Sequence, residues 1–149
     1  MKPVKTWILV ADGARARVVL NAGPGKGVEE IEGLDFRSEH PQSGDIMADR
    51  EGRAFDSQGS GRHAMERPSD PHRNAKKAFA ERLAAMLDKH AARDRFNRLV
   101  IVAPPQALGD LRAALSRGVR DRVSAELAKD LTHLRNEDLP LHLAEVLAI

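Results

Sequence analysis

The sequence contains no cysteine among its 149 residues. Disulfide bonds, thiolate zinc sites and cysteine nucleophiles are therefore excluded. Long apolar runs are also missing: near the N-terminus the run from Trp7 to Ala11 ends at Asp12 and Gly13. A signal peptide needs a longer apolar region, and a membrane helix needs a far longer one. The sequence therefore predicts a cytoplasmic protein without membrane insertion.

The sequence also lacks a large excess of charge of one sign, because it contains 24 basic and 22 acidic residues and its formal net charge is +2. Such a total does not by itself predict nucleic-acid binding, which depends on clustering of basic residues on one face. The basic residues are mostly arginine, whose planar group donates two parallel hydrogen bonds to a phosphate. A GC-rich genome explains the same enrichment, so both interpretations stay open.

The apolar pattern predicts one α/β domain over residues 1–149, since this length and 42% hydrophobic residues suffice for a single core. Three strands are expected first, at residues 5–11, 16–20 and 28–36. Asp12 and Gly13 favour a tight hairpin with positive φ angles between the first two. A bulge is expected near Gly33, where the alternation of the third strand is imperfect.

The second half of the chain alternates helices and strands. Asp70 as N-cap and Pro71 as first residue predict a long helix over 71–91, followed by a buried strand at 98–103 and a second helix opened by Pro104 and Pro105. Residues 119–130 fit a strand or a helix; a strand is preferred because Gly118 is expected to end the preceding helix. The pattern as a whole predicts a central mixed sheet of about five strands flanked by helices.

A final helix is expected after Asn136, which is a suitable capping residue. Its expected apolar face consists of Leu139, Leu141, Leu143, Val146 and Leu147.

A long polar segment at residues 37–70 interrupts this pattern. Loops of this size inside a compact domain are usually functional or disordered. Glycine lets the backbone approach a ligand closely, and neighbouring arginines can bind phosphate, so the segment suits a flexible loop that orders on RNA. Acidic residues nearly cancel its charge, and a mere linker is the open alternative.

Other chemistry finds little support in the sequence. His40, His63 and His72 match no metal-binding spacing and are interpreted as solvated histidines. The serines near His63 lack a G-x-S-x-G elbow, and residues 21–27 lack the full phosphate-loop spacing and are interpreted as a turn. No catalytic residue, metal or cofactor is predicted.

Several blocks resemble the bacterial host-attachment protein family, the proteins required for attachment to host cells. They are WILVADGARARVVL near the N-terminus, the SD and GR of the polar segment, FAERLAAML, LVIVAPPQALGDLR, and ELAKDLTHL near the end. The resemblance covers essentially the whole chain. The family name suggests an exposed adhesin, whereas a cytoplasmic protein affects attachment only indirectly.

That family is similar in fold to the middle domain of archaeal and eukaryotic peptide-chain release factors. Those factors place a Gly-Gly-Gln loop ahead of a long helix and a buried strand, and DSQGSGRH has the corresponding position here. The resemblance implies a loop directed at the ribosome. Gly-Gly-Gln itself does not occur in the sequence, so the backbone geometry that positions a water at peptidyl-tRNA is not implied. The candidate RNA-binding residues are Arg50, Arg53, Gln58, Gly59, Gly61, Arg62 and His63.

The sequence thus leads to three functional hypotheses. The first is a non-enzymatic module that binds the ribosome or structured RNA. The second is a hydrolase of aminoacyl or peptidyl esters that uses Gln58 and His63 around a water. The third is a protein-interaction module whose loop orders against an unidentified protein partner and regulates attachment indirectly.

Overall fold

The computed structural model describes residues 4–39, 70–147 and 149. The strands are β1 (Thr6–Ala11), β2 (Arg15–Asn21), β3 (Glu29–Arg37), β4 (Arg98–Val102) and β5 (Val123–Leu127). The helices are α1 (Pro71–Ala92), α2 (Pro105–Ala114), α3 (Arg117–Arg120) and α4 (Leu139–Leu143), with a 3-10 turn at Asn136–Asp138. The strands form one sheet in the order β3-β2-β1-β4-β5, which confirms the predicted α/β class and the mixed sheet.

The central strands are buried on both faces of the sheet. Strand β1 pairs antiparallel with β2 and parallel with β4, and β4 pairs parallel with β5. Because successive strand residues point to opposite faces, Trp7 and Leu9 pack into the core beneath α1 and α2, whereas Ile8 and Val10 pack into the core beneath α4. A strand covered on both faces requires the continuous apolar run seen in the sequence.

The direction of the strands defines two edges of the sheet. Strands β1, β3, β4 and β5 run the same way, so they end at one edge, the carboxyl edge, and begin at the other, the amino edge. At the carboxyl edge the Ser38 N–H donates to the Ala14 carbonyl at 2.6 Å. A Cβ built on Gly13 would lie 2.9 Å from Cγ of Lys76. The end of β3 and the start of α1 therefore both lie against the β1–β2 hairpin.

Helix α1 begins as the sequence predicts. The Asp70 side chain accepts hydrogen bonds from the backbone N–H groups of His72 at 3.0 Å and Arg73 at 3.4 Å, and Pro71 occupies the first turn. Phe79 and Leu83 lie on its buried face. The cap satisfies donors that the first helical turn otherwise leaves without partners.

Loss of this cap has a measurable cost. We expect Asp70→Ala to lower the free energy of unfolding by about 1 kcal/mol, the typical value of an N-cap. Asp70→Asn keeps an acceptor at the same place and serves as the matched control. Urea unfolding of the three proteins measures the difference, and an equal loss in both variants would show that the cap does not contribute.

The bulge predicted near Gly33 is confirmed. Arg17 pairs with Asp35, but Val19 pairs with Glu30, so the register of β2 against β3 shifts between these positions. Gly33 lies inside the shift with a φ of 85°, in the left-handed region that glycine adopts without strain.

The predicted hairpin between β1 and β2 is also present, but the expected positive φ is wrong. Gly13 lies outside the left-handed region, where the glycines of the described residues are Gly23, Gly25, Gly27 and Gly33. The Asp12 side chain closes the turn instead, accepting from the backbone N–H groups of Ala14 and Arg15, each at 2.8 Å. Aspartate stabilises such turns through its own side chain.

The strand preferred within residues 119–130 is confirmed as β5. The expected role of Gly118 is wrong, because α2 ends at Ala114 and Gly118 lies within the short helix α3. The Ser116 hydroxyl oxygen caps α3 by accepting from the Val119 N–H at 3.2 Å.

The expected capping role of Asn136 is wrong as well. Its side-chain oxygen accepts from Nε of Arg17 at 2.8 Å, so it joins the end of the chain to β2 rather than capping a helix. Leu141 is 83% exposed and does not belong to the apolar face, whereas Leu139 and Leu143 are buried. Residues two positions apart on a helix do not share a face.

Candidate functional site

The seven residues predicted to contact RNA lie outside the described residues, in the segment 40–69. They are Arg50, Arg53, Gln58, Gly59, Gly61, Arg62 and His63. His40 also falls in this segment, whereas His72 lies in the first turn of α1. Across residues 4–39, 70–147 and 149, no three histidine, aspartate or glutamate side chains converge as a metal ion would require.

The amino edge of the sheet brings together two segments that are separate in the sequence. One is residues 88–98, the end of α1 and the turn into β4; the other is residues 116–122, which include α3 and the turn into β5. The Leu99 N–H donates to the Arg122 carbonyl at 2.8 Å, and the Lys5 N–H donates to the side-chain oxygen of Asn97 at 2.7 Å. The chain preceding β1, β4 and β5 therefore forms one continuous surface.

This surface is strongly basic, and we call it the basic edge. Three acidic residues lie in the same segments: Asp88, Asp94 and Asp121. The formal net charge of the edge is thus +5, more than the +2 of the whole chain. The cations of the basic edge are Lys5, Lys89, Arg93, Arg95, Arg98, Arg117, Arg120 and Arg122.

Arg122 holds the two segments together. Its guanidinium donates to the Phe96 carbonyl at 2.5 Å and to Asp94 at 3.2 Å, and it lies 5.6 Å from the centre of the Phe96 ring. The Ser116 hydroxyl donates to Asp88 at 2.9 Å. Two of the three acidic residues are therefore already engaged.

The other cations of the edge lack a carboxylate partner among the residues that the structure describes. Six are exposed, and within the described part of the chain none of them forms an ion pair with a carboxylate: Lys89, Arg93, Arg95, Arg98, Arg117 and Arg120. Lys89 lies in the last turn of α1, where a cation stabilises the C-terminal end of the helix. This effect does not apply to Arg95 and Arg98, which follow the helix. Unpaired arginines on one surface create the positive potential that attracts phosphates.

His90 lies beneath this positive surface. Its pKa is lowered, first by burial and then by the charges of Arg95, Lys89 and Arg93. The ring centre lies 5.1 Å from that of Trp7, and Nδ1 is buried and has no hydrogen-bond partner among the described residues. Both the burial and the three cations disfavour the protonated ring.

The lowered pKa of His90 makes stability depend on pH. As the pH falls below the ordinary value of 6.5, the unfolded chain takes up the proton before the folded protein does. The contribution of neutral His90 to stability is therefore present above that pH and is lost as the pH falls toward the folded pKa. We expect wild type to lose more stability than His90→Gln between about pH 7.5 and about pH 5.5. Urea unfolding at both values tests this, and equal losses would contradict it.

A second group of arginines lies at the carboxyl edge, where a depression of about 130 Å³ contains Arg15, Arg17 and Arg37. Arg15 and Arg37 are direct cross-strand partners. Two acidic residues offset most of this charge, because Asp35 pairs across the strands with Arg17 and Asp12 lies 3.4 Å from Arg15. The basic edge is therefore the stronger candidate for an anionic ligand.

The basic edge was not predicted from the sequence, although a signal was present. Arginines recur in two short turns, RDRFNR at residues 93–98 and SRGVRDR at residues 116–122. Each turn precedes a strand of a parallel pair, and the beginnings of parallel strands meet at one edge. The two turns predict a shared basic surface only when β4 and β5 are recognised as neighbouring parallel strands.

The fold and this surface define an α/β domain with a mixed five-stranded sheet and a basic amino edge. The profile of the family of proteins required for attachment to host cells matches residues 7–143, and the chain belongs to this family. Among curated proteins, none matches the sequence. No helix of the described residues is long and apolar enough to cross a membrane.

Proposed function

We propose that this member of the host-attachment family is a non-enzymatic, cytoplasmic module that binds structured RNA, such as that of the ribosome, through its basic edge. The observation that carries the proposal is the group of six exposed cations at the edge that form no ion pair with a carboxylate of the described residues. Arginine matches phosphate with two parallel hydrogen bonds, and phosphate contacts supply most of the affinity in such complexes.

The burial of the aromatic rings at the edge favours structured RNA over unpaired RNA as the ligand. Proteins that bind single strands stack bases on exposed aromatic side chains. Trp7 and Phe96 are 4% and 0% exposed and stack on each other with ring centres 4.7 Å apart, so neither offers a platform for a base. A surface with cations but without stacking rings suits recognition of the phosphate backbone of a folded RNA.

In this proposal the segment 40–69 makes a second contact with RNA, whereas the basic edge supplies most of the electrostatic attraction. It contains four arginines and five acidic residues, so its charge does not draw it toward phosphate. Its candidate residues, Arg50, Arg53, Gln58, Gly59, Gly61, Arg62 and His63, contact RNA once the basic edge has bound. Ser38 and Lys76, which flank this segment in the described chain, lie near the carboxyl edge.

The salt dependence of binding tests the proposal. Affinity for a labelled RNA hairpin, measured by fluorescence anisotropy, should fall linearly in a log–log plot against salt, with a slope of roughly −4 to −5.5 if six cations contact phosphates. An unpaired RNA of equal length is the control and should bind more weakly. Binding that does not weaken with salt would contradict the proposal, and absence of RNA binding would favour the protein-partner hypothesis.

A further inference from the structure

A cavity of about 280 Å³ opens at the amino edge, on the face of the sheet that α4 covers. Residues from four strands and from the end of the chain line it. Ligand cavities for small molecules combine apolar walls with a few polar groups that fix orientation. This cavity has apolar walls as well as polar groups.

The polar part of the wall contains the buried polar residues of the described chain, Thr6 and Asn21, which are 3% and 2% exposed. Asn21 supports the wall: its side-chain nitrogen donates to the carbonyls of Gly23 at 3.0 Å and Gly27 at 2.7 Å. Thr6 and Ser124 line the cavity, and each carries a hydroxyl group that is able to donate a hydrogen bond.

Arg98 gives the cavity its charge. It is exposed, it lines the cavity, and it forms no ion pair within the described residues. Its backbone is fixed, because its N–H donates to the Lys5 carbonyl at 3.2 Å. No aspartate or glutamate of the described residues lines the cavity, so Arg98 is the one charged side chain among the described residues of its wall. A single cation with nearby hydroxyl donors suits a carboxylate.

The rest of the wall is apolar. Val4 is 40% exposed, one of the two exposed large hydrophobic side chains in the part of the chain that the structure describes, and it lines this cavity together with Val146 and Leu147. Covering exposed aliphatic surface gains free energy in proportion to its area. At roughly 30 Å³ for a water-sized group, the cavity has room for about ten such groups.

We propose that this cavity binds a small aliphatic carboxylic acid. The carboxylate pairs with the Arg98 guanidinium and accepts hydrogen bonds from the hydroxyls of Thr6 and Ser124. The aliphatic chain lies against Val4, Val146 and Leu147. This inference does not depend on the proposed RNA binding, although Arg98 belongs to both surfaces.

Hexanoate tests the inference on the wild-type protein without RNA. Titration with hexanoate should shift the methyl NMR signals of Val4, Val146 and Leu147, whereas hexanol, which has the same chain without the charge, should bind at least about tenfold more weakly. Equal binding of the two compounds, no binding, or shifts confined to other methyl groups would overturn it. Because this comparison needs no variant, it does not depend on how a substitution affects folding.

Two variants sharpen the result. Arg98→Gln should lower the affinity for hexanoate by about tenfold, to the level of hexanol, because it removes the charge-assisted contact. Arg95→Gln removes a neighbouring exposed charge that does not line the cavity and should leave hexanoate binding unchanged. An equal loss in both variants would show that the general field of the basic edge, and not this cavity, attracts the acid.

Discussion

Replacing both Arg117 and Arg120 with glutamate should lower the affinity for structured RNA by about a hundredfold, or about 2.7 kcal/mol. Each substitution removes a charge-assisted contact with phosphate and adds repulsion. Both side chains are exposed, whereas Val119 between them is buried, so the packing of α3 is preserved. Fluorescence anisotropy with an RNA hairpin measures the loss, and the salt slope should become about two units shallower.

The matched control is the pair Arg15→Glu and Arg37→Glu at the carboxyl edge. It changes the net charge by the same amount and lies on the opposite edge of the sheet. We expect this control to lower the affinity by less than about threefold, because distant charges are screened by salt. If it lowers the affinity as much as the Arg117 and Arg120 variant does, the basic edge is not the binding surface.

Arg17→Met should produce the largest loss of stability among the substitutions considered. The half-buried guanidinium donates to the carbonyls of Thr132 at 3.0 Å and Leu134 at 2.6 Å, and to the side-chain oxygen of Asn136 at 2.8 Å. Burial lowers the pKa of Arg17, while Asp35 acts in the opposite direction. Methionine fills similar space but leaves these three half-buried acceptors without donors, at about 1 kcal/mol each, the lower end of the range for buried groups. We expect a total loss of about 3–4 kcal/mol, out of the roughly 5–15 kcal/mol typical of a domain.

Arg15→Met is the matched control for this prediction. Arg15 lies two positions away on the same face of β2, and its side chain is 45% exposed, with Nε 3.4 Å from Asp12. Exposed ion pairs contribute about 0–1 kcal/mol, so the control should lose far less stability than Arg17→Met. Urea unfolding gives both values, and amide hydrogen exchange in α4 should increase only in Arg17→Met. Equal losses would show that Arg17 does not hold the end of the chain on the sheet.

Elements with a strong local pattern could be predicted from the sequence. The continuous apolar runs located β1 and β4, and the cap at Asp70 located the start of α1. Helix α3 was missed because it has four residues, about one turn, and periodicity cannot be recognised over one turn.

Contacts between distant segments could not be predicted. Asn136 looked like a helix cap because its partner, Arg17, lies 119 positions away in the sequence. The basic edge was missed for a similar reason, since its two segments meet only because β4 and β5 are parallel. The candidate residues that the sequence indicates are neighbours in the chain, within the segment 40–69.

Co-sedimentation with ribosomes from a lysate, at low and moderate salt, tests the central claim most directly. Three forms are compared: wild type, the variant with Arg117→Glu and Arg120→Glu, and a form in which a short Gly-Ser linker replaces residues 44–67. The basic edge predicts that wild type pellets in a salt-sensitive manner, that the linker form still pellets at a reduced level, and that the glutamate variant stays in the supernatant. A glutamate variant that pellets as wild type does, while the linker form stays in the supernatant, would contradict the account.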